Sequence, residues 1–228
     1  DQPRSRGLGD VYKADLPFCQ ETTLGLGAQN VSKTNSKSAT GEITAPQLKS
    51  LNVNYCLVGH SERRIHLNED SNDISAKIKN LLAEDIIPIL CIGENEEEYQ
   101  NNKIKEVLLN DLKASFSAIS YLDQQKIIIA YEPIWAIDSD TIPTNKEIEE
   151  TTEFIKGIFP NNIVLYGGGV TYNNIYELSQ IKTVDGFLLG RLGNNINELE
   201  EFLKTFKNSS FFDINLLIRQ KLSFLVPT

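Results

Sequence analysis

Two stretches of this sequence determine its fold and its chemistry: Val58-Gly59-His60-Ser61-Glu62-Arg63-Arg64 and Ala130-Tyr131-Glu132-Pro133-Ile134-Trp135-Ala136-Ile137. Each begins in an apolar run that is typical of a β-strand and then passes directly into polar residues. The first run leads to a histidine and the second leads to a glutamate. Such a pair can act together at strand ends, because the glutamate accepts a proton from carbon while the histidine polarises the adjacent carbonyl.

Short apolar runs alternate with helical patterns from about residue 24 onward. The predicted strands cover residues 24–28, 55–58, 87–91, 127–131, 163–166 and 186–189, and the predicted helices cover residues 73–82, 102–119, 146–158 and 173–181. This alternation predicts an α/β fold with a parallel sheet and helices outside it. Periodicity leaves two architectures open, a barrel and an open doubly wound sheet.

Length and composition restrict the classes of protein to which the chain can belong. Its 228 residues, 40% of them hydrophobic, are enough for one domain with a sizeable core. A net charge of -9 argues against nucleic acid as a partner and against anionic membranes. No apolar run approaches the roughly 18 residues that a membrane span needs. The three cysteines form no disulfide framework, and no Cys/His cluster predicts a metal site.

The two opening stretches resemble the active-site segments of the triosephosphate isomerase family. Five further segments match the family in the same order: Leu26-Gly27-Ala28-Gln29-Asn30, Thr40-Gly41-Glu42-Ile43, Cys91-Ile92-Gly93-Glu94, Tyr166-Gly167-Gly168-Gly169-Val170 and Asp185-Gly186-Phe187-Leu188-Leu189-Gly190. The resemblance covers the chain from about residue 24 to residue 206. It implies a (β/α)8 TIM barrel and so selects the barrel over the doubly wound sheet.

A barrel of this kind has eight strands, whereas the sequence pattern supplies about six. The resemblance implies two further β/α units before residue 24, so we expect a barrel that is incomplete at its N-terminus. We interpret residues 1–23 as an atypical N-terminal segment, residues 24–207 as the barrel domain and residues 208–228 as a C-terminal extension. The chain contains no methionine, and we expect that it is not a complete translation product.

The resemblance implies that Glu132 is the catalytic base and that His60 polarises the substrate oxygens. The family is the known example of a glutamate base beside a neutral histidine at a helix N-terminus. A helix N-terminus disfavours the charged imidazolium, so His60 is expected to act as a neutral donor. Ile137 and Leu188 match the positions that clamp the glutamate with apolar surface. Glu62 matches a residue that pairs with a catalytic lysine, which comes from an Asn-x-Lys segment after the family's first strand, but no such segment precedes residue 24 of this chain.

Glycines after the last two predicted strands match the phosphate-binding loops of the family. The resemblance implies that backbone N–H groups at Gly169 and Gly190 bind a phosphate, as such loops do in barrels of this kind. Gly169 stands where the family usually has serine. Arg191 stands where the family has a second glycine, and it either contacts the phosphate or obstructs the pocket.

The stretch that matches the family's lid differs most from the pattern. Asp138 replaces a glycine whose N–H meets the phosphate, and Asp140 adds a second carboxylate. Two carboxylates repel a dianionic phosphate. In the family the tyrosine that matches Tyr166 bonds to a backbone N–H of the closed lid, but the matching position here is Pro143, which has no N–H.

Taken together, the resemblance implies an isomerase that interconverts dihydroxyacetone phosphate and glyceraldehyde 3-phosphate through an enediolate, in glycolysis and gluconeogenesis. It implies no cofactor and no metal, a triose phosphate as substrate, and a homodimer joined through residues 31–40. A cytoplasmic location is expected, with an organellar copy as the alternative. The alternative function is a catalytically weak or inactive relative that binds a phosphorylated metabolite or a protein partner. The missing lysine and the acidic lid favour that alternative, whereas the intact glutamate, histidine and clamp favour the enzyme.

Overall fold

The computed structural model describes residues 25–36, 38–137, 139, 141–190 and 216–219, and within them it forms one parallel β-sheet. The seven strands are β1 (Gly27–Ala28), β2 (Tyr55–Val58), β3 (Ile87–Ile92), β4 (Ile128–Tyr131), β5 (Val164–Tyr166), β6 (Gly186–Leu189) and β7 (Leu216–Arg219). Each strand pairs in parallel with the next strand in the sequence. A doubly wound sheet reverses its strand order, so the sequential order is that of a barrel wall. The predicted barrel-type architecture is confirmed.

The strand side chains alternate between two apolar layers. One face of the sheet packs against the helices and includes Cys56 and Val58 of β2. The opposite face forms a separate inner cluster of buried residues: Leu57, Ile89, Cys91, Ile128, Ala130, Leu165 and Leu188. A strand buried on both faces needs a nearly continuous apolar run, and this need explains the runs in the sequence.

Helices connect the strands. They are α1 (Ala45–Ser50), α2 (Ser61–Leu67), α3 (Ser71–Leu82), α4 (Glu96–Gln100), α5 (Ile104–Ser115), α6 (Tyr121–Gln124), α7 (Asn145–Ile158) and α8 (Ile175–Leu178), and a 3₁₀ turn at Ile134–Ala136 follows β4. Two of the three longer helices, α3 and α7, begin at side-chain caps. Asp70 accepts the N–H of Asp73 at 2.8 Å before α3, and Thr144 and Glu147 form a capping box at α7.

The structure differs from the sequence pattern mainly at short elements. The predicted helix over residues 173–181 contracts to the single turn α8, and α1, α2, α4 and α6 are not predicted. Strand β7 is also not predicted. It lies in the segment that we interpret as a C-terminal extension, and it pairs in parallel with β6, with Leu189 opposite Arg219.

Among the helices that the structure describes, none is long and apolar enough to cross a membrane.

Candidate active site

His60 and Glu132 lie next to each other at the carboxyl ends of the strands. His60 follows β2 after one glycine, and Glu132 follows β4 directly. Their side chains approach to 3.6 Å between His60 Nε2 and Glu132 Oε1. Both residues are buried, with 7% and 2% of their surface exposed. The two side chains thus meet at one end of the sheet.

The orientation of His60 follows from its place at the start of α2. His60 is the N-cap of this helix, and its Nδ1 accepts the backbone N–H of Glu62 at 3.3 Å. A nitrogen that accepts a hydrogen bond carries no proton, so the proton of the neutral imidazole lies on Nε2. That nitrogen is the one that faces Glu132. The role of His60 as a neutral donor stays a prediction.

Gly59 sets the direction in which the chain enters the site, and both its backbone N–H and its carbonyl are hydrogen-bonded to side chains. Its φ of +71° lies in the left-handed region that glycine tolerates best. Its N–H is bonded to Glu69 Oε1 at 3.2 Å, and its carbonyl accepts from Arg64 Nε at 2.7 Å. Arg64 also forms a salt bridge of 2.8 Å to Asp111 of α5. Glu69 and Arg64 therefore position His60 by holding the backbone of the glycine that precedes it.

A mostly buried cluster of charged side chains, formed by Glu69, Arg63 and Lys77, is bonded to this turn through Glu69. Glu69 is bonded to Arg63 at 2.6 Å and to Lys77, and Lys77 Nζ donates to Asn30 Oδ1 at 2.8 Å. Burial works to raise the pKa of Glu69, but the hydrogen bonds from Lys77 and Arg63 outweigh burial and lower that pKa. Sequence reasoning missed Glu69 and Lys77, whose eight-residue spacing gives no local signal of an ion pair.

Glu132 sits in an apolar environment that makes it a stronger base. Burial raises the pKa of its carboxyl, and His60 and a hydrogen bond from the Cys91 thiol oppose part of that rise. Among the described residues its Oε2 has no hydrogen-bond partner. The sequence does not predict this contact between Cys91 and the glutamate. A small cleft lies against the carboxylate, lined by Gly59, Ser61, Arg64, Cys91, Ile92, Gly93 and Ile134.

The loop after β5 closes around the same glutamate. A Cβ placed on Gly167 would lie 2.7 Å from Glu132 Cγ, so only glycine fits at this position without a shift. A Cβ on Gly169 would lie 2.4 Å from Ile142 Cγ2. Ile142 belongs to the stretch before α7, so that stretch packs against this loop. The hydroxyl of Tyr166 is buried and has no partner among the described residues.

The remaining predicted site residues differ in how closely the structure associates them with the pair. Leu188 is buried in the inner cluster, while Ile137 is half-buried after the 3₁₀ turn. Their clamping contact with Glu132 stays a prediction. Glu62 is largely exposed, with its carboxylate 4.0 Å from His60 Nδ1. Gly190 is half-buried at the end of β6.

Two predicted phosphate contacts, Asp138 and Arg191, lie outside the described residues, as does Asp140. Within the part of the chain that the structure describes, no group of three or more His, Cys, Asp or Glu side chains is arranged to hold a metal ion.

Comparison with known proteins gives one consistent family. A family model for triosephosphate isomerase matches residues 11–206. A triosephosphate isomerase from Orientia tsutsugamushi (strain Ikeda) is 40% identical over 207 residues, which cover 86% of this chain and 81% of the relative. One from Mycoplasmopsis pulmonis (strain UAB CTIP) is 37% identical over 185 residues, which cover 81% of this chain and 73% of the relative. One from Francisella philomiragia is 30% identical over 201 residues, which cover 85% of this chain and 79% of the relative.

These matches confirm the resemblance and the barrel class that the sequence predicts. The chain belongs to the triosephosphate isomerase family.

Proposed function

We propose that this protein interconverts dihydroxyacetone phosphate and glyceraldehyde 3-phosphate by proton transfer through an enediolate. The observation that carries the proposal is the pair formed by His60 and Glu132. A carboxylate with a raised pKa lies 3.6 Å from the imidazole nitrogen that remains free to donate while Nδ1 accepts from Glu62. Proton abstraction next to a carbonyl needs this combination of a base and a donor.

In the proposed reaction Glu132 removes a proton from the carbon that carries the hydroxyl group. The electron pair of that C–H bond forms the C=C bond of the enediolate, while the carbonyl π electrons move onto oxygen. His60 Nε2 donates a hydrogen bond to this oxygen and stabilises the charge that develops there. The hydroxyl proton also has to reach this oxygen, and His60 Nε2 transfers it by giving its own proton to the oxygen and taking the hydroxyl proton in return. Glu132 then returns the first proton to the neighbouring carbon, while the electron pair left on the other oxygen forms the new carbonyl. Every step uses donors and acceptors of the chain, so the chemistry calls for no cofactor.

We assign the phosphate of the substrate to the loops after β5 and β6. Backbone N–H groups at Gly169 and Gly190 would bind its oxygens, and Arg191 would add a positive charge. Asp138 would approach the same phosphate and oppose binding. Ile137 and Leu188 would keep Glu132 dry, and Tyr166 and Glu62 would support the site from the side.

The proposed chemistry is tested by proton NMR of the reaction in deuterium oxide. An enediolate exposes the abstracted proton to exchange, so we expect deuterium at the carbon next to the carbonyl of recovered substrate and product. Glu132→Gln should abolish this incorporation, because the amide cannot accept the proton. The matched control is Glu106→Gln, at an exposed position on α5, which should incorporate deuterium like the parent. Turnover without deuterium incorporation would refute the enediolate.

A second candidate function is a weak or inactive relative that binds a phosphorylated metabolite. The acidic residues of the lid favour it, and so does the buried Tyr166 hydroxyl, which has no described partner while Pro143 lacks an N–H. This candidate predicts binding of glycerol 3-phosphate in calorimetry without turnover of glyceraldehyde 3-phosphate.

We further propose that the protein is a cytoplasmic homodimer joined through residues 31–40. Support for the dimer comes from Ile65 and Leu67 of α2, which are 58% and 61% exposed beside the site. Apolar side chains with this much exposed surface are available for burial at an interface between two copies of the chain. Sedimentation at concentrations of tens of micromolar, within the range relevant to association, should show a dimer. A clean monomer would contradict the proposal.

A further inference from the structure

Trp135 lies three residues after the proposed base and is held on two sides. Its indole N–H donates to Glu94 Oε1 at 2.8 Å. Its ring stacks on Tyr99 of α4, with ring centroids 4.2 Å apart and an angle of 28° between the planes. Stacked aromatic pairs at this separation are favourable beyond the area that they bury. The chain that leaves the 3₁₀ turn is therefore anchored to the segment of residues 94–99.

Tyr99 also reaches the other end of the stretch that follows. Its hydroxyl donates to Glu147 Oε1 at 2.8 Å. The second oxygen of Glu147 accepts the backbone N–H of Thr144 at 2.8 Å and its hydroxyl at 2.7 Å. These bonds cap the first turn of α7. The ring of Tyr99 thus contacts Trp135, which precedes the stretch of residues 136–143, and its hydroxyl contacts Glu147, which caps Thr144 at the other end of that stretch.

We propose that Tyr99 is a positioning residue that fixes both ends of the segment between Trp135 and Thr144. The ring holds the end that follows Glu132, and the hydroxyl holds the end that begins α7. Glu94, which accepts the indole N–H of Trp135, is fully buried and also accepts from the Tyr131 hydroxyl at 3.2 Å. These contacts hold Glu94 in place and so strengthen the anchoring of Trp135. None of the proposed catalytic contacts uses Tyr99, which explains why the active-site motifs do not reveal it.

The kinetic consequence rests on the proposed function, whereas the structural consequence does not. The segment lies against Gly169 through Ile142, next to the proposed phosphate loop. Loosening its ends should weaken substrate binding more than it slows proton transfer. Losing one stacked pair and one hydrogen bond corresponds to about a fivefold rise in KM, with kcat nearly unchanged.

The test uses Trp135 itself, since it is the single tryptophan of the chain. Tyr99→Leu should shift its emission to longer wavelength and make it easier to quench with acrylamide, and it should raise KM about fivefold. Tyr99→Phe keeps the stacked ring and removes the hydroxyl. It should leave the emission of the parent and raise KM by about twofold. Tyr121→Leu, at a residue that is 72% exposed, is the matched control and should change neither quantity.

The fluorescence of Trp135 tests the proposal even in the absence of turnover. If the full chain shows no isomerase activity, the proposed function fails, and the emission of the Tyr99→Leu variant still tests the anchoring of Trp135. Parent-like emission and quenching in a folded Tyr99→Leu variant would overturn the inference. An equal change in Tyr121→Leu would overturn it as well.

Discussion

Shortening the proposed base by one methylene group is the sharpest perturbation of this site. Glu132→Asp draws the carboxylate back by about 1.5 Å, the length of one C–C bond. Glu132 is 2% exposed, and Gly167 packs directly against its side chain, so the backbone has little room to follow. A misplacement of about 1 Å costs roughly 10²-fold in rate. We therefore expect kcat to fall by about 10²- to 10³-fold, since the shortened side chain misplaces proton transfer.

Substrate binding should change far less, because the proposed phosphate contacts are made by other loops. We expect KM to stay within about threefold of the parent. The assay couples formation of dihydroxyacetone phosphate to the oxidation of NADH by a dehydrogenase. Glu106→Asp is the matched control, since it removes the same methylene group at an exposed position on α5. Equal losses in kcat and in binding, or a loss of kcat below tenfold, would refute the assignment of Glu132 as the base.

Four further predictions follow from the same contacts. Lys77→Met should lower the free energy of unfolding in urea by about 2–4 kcal/mol at neutral pH, because the buried Glu69 would keep only the partly exposed Arg63 as an ion-pair partner. The loss should shrink as the pH falls through the lowered pKa of Glu69, and a pH-independent loss would contradict this account. The acid limb of kcat/KM should have its midpoint above 4.5, since burial raises the pKa of Glu132 and only the ionised form is a base; a midpoint at or below that value would argue against it. Gly167→Ala should lower kcat/KM by about tenfold or more, because its Cβ would displace the Glu132 side chain, and an unchanged value would show that the side chain can shift at no cost. Asp138→Gly should bind glycerol 3-phosphate several-fold more tightly in calorimetry, through the loss of a like charge, and equal affinity would show that the acidic lid does not limit binding.

The sequence predicts the strands that contain the site because their local signals agree. The apolar runs 55–58 and 186–189 are bounded by glycine, asparagine or aspartate, and the structure has strands at these positions. His60 and Glu132 come directly after strands, and the carboxyl ends of parallel strands meet at one edge. Their proximity is therefore a consequence of topology, which the alternating pattern encodes.

Other features depend on partners that no local pattern specifies. The run Leu216-Leu217-Ile218 is too short to distinguish a strand from a buried helix segment, and nothing in it indicates that β6 is its neighbour. The pairing of Glu69 with Lys77 is likewise tertiary. Charged residues are usually solvated, so the sequence gives no sign that these two are buried. The double role of Tyr99 requires the folded positions of Trp135 and Glu147.

The buried cluster of Glu69, Arg63 and Lys77 restricts the routes by which this sequence can diverge. Replacing Glu69 alone leaves the Lys77 ammonium in the interior without a carboxylate partner, which is strongly destabilising, whereas replacing the whole set by apolar residues is often nearly neutral. Glu69 also holds the Gly59 peptide, so its loss would disturb the turn that carries His60. Lineages should consequently retain all three charges or change them together, and reverting a single position in such a lineage should be more harmful than either complete set.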